Sequence, residues 1–243
     1  MDKRLYQLYE SILVADSLTE VEQITQQIVE KLGFSHFVYL FIRHSDNKTE
    51  PQVVQFGTYP KAWIEQYIAQ RYDLIDPCAL HVRNHQQPLV WLNDLFSESA
   101  SLRRYYAQAK SFGVSCGASF AVVRAFPKES AGMSIAKPGD ANEQVDEVIA
   151  ILPYGQLLTC YVHEAVVRLL KLSPPQPKRA LTEREKACVR LAAQGLNDTV
   201  IADKLFIHLR TVRFHLSNAR EKLGAKTRSQ LIARALETNA IGL

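Results

Sequence analysis

Apolar residues first recur at helical intervals: Leu5, Leu8, Tyr9, Ile12 and Leu13, then Val21, Ile24, Ile28 and Leu32 before Gly33 stops the second run. The period then changes. Stretches 36–42 and 52–56 are dense in β-branched and aromatic residues, with the turn formers Ser45, Asp46, Asn47 and Lys48 between them, which predicts a hairpin. Pro60 at a first helical position predicts a helix through Arg71, and Asn93 predicts the cap of a longer helix ending near Gly113. Strands are predicted again over 118–124 and 132–136. After them an apolar-faced helical stretch covers 142–171, with Pro153 and Gly155 predicted to interrupt or kink it.

Three prolines within four residues, Pro174, Pro175 and Pro177, forbid helix and predict an extended spacer over 172–180. Beyond it Thr182 and Glu185 have capping-box spacing, and Val189, Leu191 and Ala192 give a short amphipathic helix that Gly195 ends. A second short helix is predicted over 199–205, with Ile201, Ala202 and Leu205 inward. A third begins near Leu209 and turns Val212, Leu216, Ala219 and Leu223 inward, and a fourth spans 228–239. The predicted architecture is an α+β domain over 1–171, an α/β/α sandwich with a mainly antiparallel sheet, a linker over 172–180, and an all-α four-helix domain over 181–243.

Charge sharpens this division. The net charge is +4, but from Leu172 onward 13 Lys and Arg stand against 6 Asp and Glu, which leaves the first 171 residues at −3. A compact basic segment beside a mildly acidic domain is the footprint of a nucleic-acid module joined to something else. No apolar run approaches the roughly 18 residues needed to span a bilayer, and the N-terminus mixes charge into its apolar positions, so the expectation is a cytoplasmic protein without a membrane partner. The four cysteines, Cys78, Cys116, Cys160 and Cys188, lack CxxC spacing and suggest neither a disulfide framework nor a zinc ribbon. Cys78, His81 and His85 would share a helix face, but with no fourth ligand and no orienting group they are expected to form neither a metal site nor a nucleophile pair. No cofactor and no enzymatic activity are expected.

The third helix of the basic segment leaves Arg210, Thr211, Arg213, Phe214, Ser217 and Arg220 outward. Guanidinium groups there suit a major groove, since they pair two-pronged with guanine and also grip phosphate. Charge-rich helix faces are most often merely solvated, so spacing alone leaves both readings open. The set Leu181, Thr182, Arg184, Glu185, Gly195, Ile201, Ala202, Leu205, Thr211, Val212, His215, Lys222, Leu223 and Arg228 resembles the LuxR-type helix-turn-helix over about 178–243. The resemblance implies that 208–223 is the recognition helix, with Arg210, Arg213 and Ser217 toward the bases, Lys222 and Arg228 on phosphates, and Thr211 also among the DNA-binding residues. His208 departs from the pattern, standing where the family usually has a serine cap.

The first domain shows neither the clustered acids nor the alternating βα pattern of a phosphoreceiver. Tyr59, Pro60, Trp63, Tyr67, Asp76, Pro77, Trp91 and Gly113 to Gly117, at their intervals, resemble the autoinducer-binding domain of LuxR-family quorum-sensing regulators. The resemblance implies an N-acyl-homoserine lactone as ligand. Asp76 would accept from its amide N–H, Trp63 donate to the lactone carbonyl, Tyr59 and Ser134 donate to the amide carbonyl, and Tyr67 and Trp91 wall the pocket. It also implies a ligand-responsive homodimer on palindromic double-stranded operator DNA, with RNA polymerase as a further partner, and the amphipathic helix over 157–172 is the candidate for part of the dimer seam. The alternative is a regulator of the same architecture whose pocket is empty or takes a different small molecule.

Overall fold

The computed structural model describes residues 3–43, 50–122, 129–171, 180–238 and 240–242. The chain divides into two compact units, residues 1–171 and 172–243.

In the first unit, helices α1 (Lys3–Val14) and α2 (Leu18–Lys31) precede strands β1 (His36–Arg43) and β2 (Gln52–Gly57). Helices α3 (Lys61–Ala69), α4 (Pro77–Asn84) and α5 (Ala100–Ser111) surround a two-residue β3 (Leu89–Val90). Strands β4 (Cys116–Ala121) and β5 (Glu129–Lys137) and the 25-residue α6 (Val145–Leu169) complete the unit. The sheet order is β2-β1-β5-β4-β3, and every pairing is antiparallel. Strand side chains alternate between faces. One set, with Tyr39, Phe41 and Phe120, meets α6; the other, with Ser119 and Gly132, faces Trp91 and α4. Helices therefore cover both faces, giving three layers.

Several elements differ from the sequence expectation, each for a local reason. Asn93 opens only a four-residue 3-10 turn, because its amide is committed to Asp140 and its carbonyl accepts from the Tyr106 hydroxyl; α5 starts later, capped by the Ser99 side chain. Pro60 precedes α3 as its cap residue, and Arg71 ends that region in the left-handed conformation at φ 53°. Helix α6 runs through Pro153 unbroken. The hydrogen bond that proline cannot make belongs to Ile149, which is 51% exposed, so water can serve its carbonyl. Gly155 answers a packing need: a Cβ there would lie 2.2 Å from the Phe120 ring. Helix α4 and strand β3 carry too few periodic positions to be read from the sequence. The Ser45 to Lys48 turn, residues 123 and 124, the 172–179 stretch and Asn239 lie outside the described residues.

The second unit comprises α7 (Glu183–Ala193), α8 (Asp198–Leu205), α9 (Leu209–Lys222) and α10 (Arg228–Glu237) around Val189, Ile201, Val212, Leu216, Ala219 and Leu231. The Thr182–Glu185 capping box is complete, and Asn197 and Thr227 cap α8 and α10. His208 makes no capping bond to α9.

Candidate ligand pocket and nucleic-acid interface

Between the sheet and the layer of α3, α4 and α5 lies a cavity of about 460 Å³, within the range of small-molecule sites. Its walls are mainly apolar: Val38, Leu40 and Ile42 from β1, Ile64 and Ile68 from α3, and Ala79 and Val82 from α4. Tyr59, Trp63, Tyr67, Asp76, Trp91 and Ser134, the six residues singled out in the sequence, all line it.

Asp76 is the polar centre. It is 6% exposed and caps α4, accepting the Cys78 amide on Oδ1 at 2.9 Å and the Tyr67 hydroxyl on Oδ2 at 2.9 Å. Burial raises its pKa, and the donated bonds from Tyr67, Cys78 and Tyr105 only partly oppose that. No cation pairs with Asp76 among the described residues. Burial, the Cys78 thiol and the Asp76 charge together lift the Tyr59 hydroxyl well above its ordinary range. That hydroxyl lies beside Ser134 yet completes no hydrogen bond of regular geometry, an unmet polar group facing a cavity. Ser134 belongs to a short chain: the Trp91 indole donates to Ser119 Oγ at 2.9 Å, and the two serine hydroxyls lie 2.8 Å apart. The strand register explains this, since Ser119 pairs directly with Ser134 and Leu89, beside Trp91, pairs with Ser119. Trp63, 1% exposed, is clamped by rings of Tyr72, Tyr105 and Phe112 at 5.7 to 6.0 Å between centroids.

Two contributors escaped the sequence reading. Tyr105 carries no local signal, being one of two adjacent tyrosines on a polar helix. Ser119 did have one: a hydroxyl inside the otherwise apolar run 118–123 needs a buried partner. Cys78 points into the pocket and burial pushes its thiol up, which makes it a poor nucleophile. His81 and His85 stack on each other at 4.7 Å.

In the second unit, the outer face of α9 exposes Arg210, Arg213, Phe214 and Ser217, with Thr211 half-buried. Lys222 and Arg228, expected on phosphates, have intramolecular partners. The Lys222 ammonium lies 2.7 Å from Glu185 Oε2, where the carboxylate also closes the α7 capping box. Arg228 binds Asp198 and donates to the Leu196 carbonyl at 2.5 Å, fixing the start of α8 against α10. Arg213 sits 3.7 Å from the same Asp198 and remains 68% exposed.

Residues 17–166 match the family profile described as the autoinducer binding domain, and residues 179–235 that of the bacterial regulatory proteins, luxR family. The regulatory protein SdiA of Escherichia coli is 30% identical over 229 residues, covering 93% of this chain and 92% of its own length. The transcriptional activator protein AnoR of Acinetobacter nosocomialis is 28% identical over 232 residues, with 94% and 95% covered. A crystal structure of Escherichia coli SdiA superposes with TM-score 0.64 at 24% identity, over 97% of this chain and 98% of that one.

Proposed function

The chain belongs to the luxR family of bacterial regulators, with the autoinducer-binding domain of its quorum-sensing members, and on that premise we propose that it binds an N-acyl-homoserine lactone and, so loaded, reads operator DNA as a homodimer. The observation that carries the ligand reading is the buried Asp76 carboxylate, which among the described residues has no cation and faces an apolar cavity beside a Tyr59 hydroxyl that has no hydrogen-bond partner among them. An amide supplies what this pair lacks. Its N–H donates to the carboxylate, joining the neutral donors Tyr67, Cys78 and Tyr105 already on it, and its carbonyl accepts from Tyr59 and Ser134. The Trp63 indole serves the lactone carbonyl, Tyr67 and Trp91 wall the ring, and the acyl chain lies along Val38, Leu40 and Ile42.

Ligand that binds only the folded sensor stabilises it by mass action and so raises the amount of competent dimer. The partly exposed Leu157, Tyr161 and Val167 of α6 support a seam over 157–172. Arg210, Thr211, Arg213 and Ser217 read bases. Lys222 and Arg228 act one step back, holding α9 and α10 in place by their pairs with Glu185 and Asp198. RNA polymerase recruitment and a cytoplasmic setting accompany this reading.

Thermal unfolding of the full chain against lactones of graded chain length, with Asp76→Asn as control, tests it. A chain-length-dependent rise that Asp76→Asn abolishes is the expected result. One solved SdiA structure holds octanoyl-rac-glycerol, so an acylglycerol belongs in the panel. A rise for acylglycerol and none for any lactone overturns the lactone reading and keeps the pocket.

A further inference from the structure

The far end of the pocket, away from Asp76, carries its own chemistry. Helix α4 descends the sheet in step with β5. At the top, Tyr59 feels both Asp76 and Ser134. Further along, Val82 lies so close over Gly132 that a Cβ on that glycine would meet Val82 Cγ1 at 2.4 Å. One residue beyond Val82 on the helix is Arg83, and two beyond Gly132 on the strand, on the same face, is Ser130; both line the cavity. At helical and strand rises this places them on the order of 10 Å from Asp76 and Ser134.

Arg83 is half-buried, and among the described residues it has neither an ion-pair nor a hydrogen-bond partner. The other rim arginine, Arg71, is already held by Asp73 at 3.2 Å. A pocket built for a plain alkyl tail would close this end with aliphatic side chains. Here a half-buried guanidinium, five donors without an acceptor, lines the same end of the cavity as a serine hydroxyl.

Resting on the lactone reading, we propose that the cognate acyl chain ends in an oxygen-bearing group, most favourably a carboxylate, which Arg83 binds and Ser130 supports. Arg83 is thus the residue that selects the tail, as Asp76 selects the head. A charge-assisted bond to a half-buried arginine separates such a tail from a methyl terminus by about tenfold or more in affinity.

The experiment is a binding titration of the full chain with two homoserine lactones of equal chain length, octanoyl and its ω-carboxylated counterpart, repeated for Arg83→Met, Arg83→Lys and Asp76→Asn. The expected result is at least about tenfold tighter binding of the carboxylated ligand by the unaltered chain, weaker at high salt, reversed in Arg83→Met and partly kept in Arg83→Lys. Equal or tighter binding of the octanoyl ligand by the unaltered chain overturns the inference while leaving the lactone reading intact, and needs no variant to fold. A preference that survives Arg83→Met overturns the assignment to Arg83. Binding of neither ligand overturns the lactone reading itself and the inference with it.

Discussion

Asp76 in the sensor unit and Glu185 in the helical unit are both buried carboxylates, 6% and 3% exposed, in opposite circumstances. Burial raises Asp76, because only neutral donors answer it. Burial pushes Glu185 the same way, but the Lys222 ammonium and the Thr182 amide outweigh it, and its pKa ends below the ordinary carboxylate range. The same residue class, equally sequestered, is therefore finished in one unit and unfinished in the other. A site that is to respond to a ligand must lack something the ligand brings; a helix start that is only to hold its shape must lack nothing.

The largest effect should come from making Glu185 resemble Asp76. Lys222→Met leaves a buried carboxylate without its cation and should cost roughly 2–4 kcal/mol, the lower half reflecting the partial exposure of the lysine, seen as an earlier transition in far-UV circular dichroism. Glu185→Gln on top of it should recover part of that loss.

The reverse manipulation comes next. Asp76→Asn keeps the α4 cap but removes the charge, so lactone affinity should fall by about 10- to 100-fold, as expected for a lost bond to a charged acceptor. The ligand-free fold should hold or gain stability. Both tryptophans, Trp63 and Trp91, lie in the first unit, so their fluorescence follows that unit alone.

Breaking the Trp91–Ser119–Ser134 chain is a smaller perturbation. Ser119→Ala strands the indole N–H and should cost about 1–2 kcal/mol in the same fluorescence unfolding.

Acid should separate the two carboxylates without mutation. The folded pKa of Asp76 lies above its unfolded value, so its stabilising contribution is complete below the unfolded pKa and is lost as pH rises through the folded one. Glu185, depressed, contributes above its unfolded pKa and loses that contribution as pH falls through the folded one. Lowering pH from neutral toward the ordinary carboxylate range should therefore strengthen the tryptophan-reported transition of the ligand-free chain before it weakens the helical unit. Asp76→Asn should remove the first trend only.

The smallest effect tests a gap in the finished unit. His208→Ser should supply the cap that α9 lacks and gain about 0.5–1 kcal/mol in thermal unfolding.

How much of this was legible depends on how local each cause is. The Thr182–Glu185 box, the Gly195 stop and the apolar stripe of α9 are short-range patterns, and the structure places them as read. The six pocket residues were legible only as a set of intervals, since Trp63 and Tyr67 alone read as ordinary core. Tyr105 reaches Asp76 across a fold that sequence spacing does not encode, and Ser119 meets Trp91 only through strand register. The Lys222–Glu185 pair was not legible for the same reason: the resemblance implied a phosphate contact for Lys222, and only the packing of α7 on α9 brings Glu185 to it. Gly155 read as a helix interruption because nothing in the sequence shows the Phe120 ring that occupies its missing side chain.

Asp198 has one more consequence. It holds Arg228 firmly and Arg213 loosely, so an acid stands within reach of an arginine assigned to base reading. On the proposed reading, the phosphodiester backbone repels this carboxylate wherever the unit lands, which would weaken its grip on arbitrary sequence. A guanine edge that captures both prongs of Arg213 compensates for leaving Asp198, whereas a mismatched base does not. If Arg213 reads bases as proposed, the acid would trade overall tightness for discrimination, a handicap levied on every wrong address in the genome and waived at the right one.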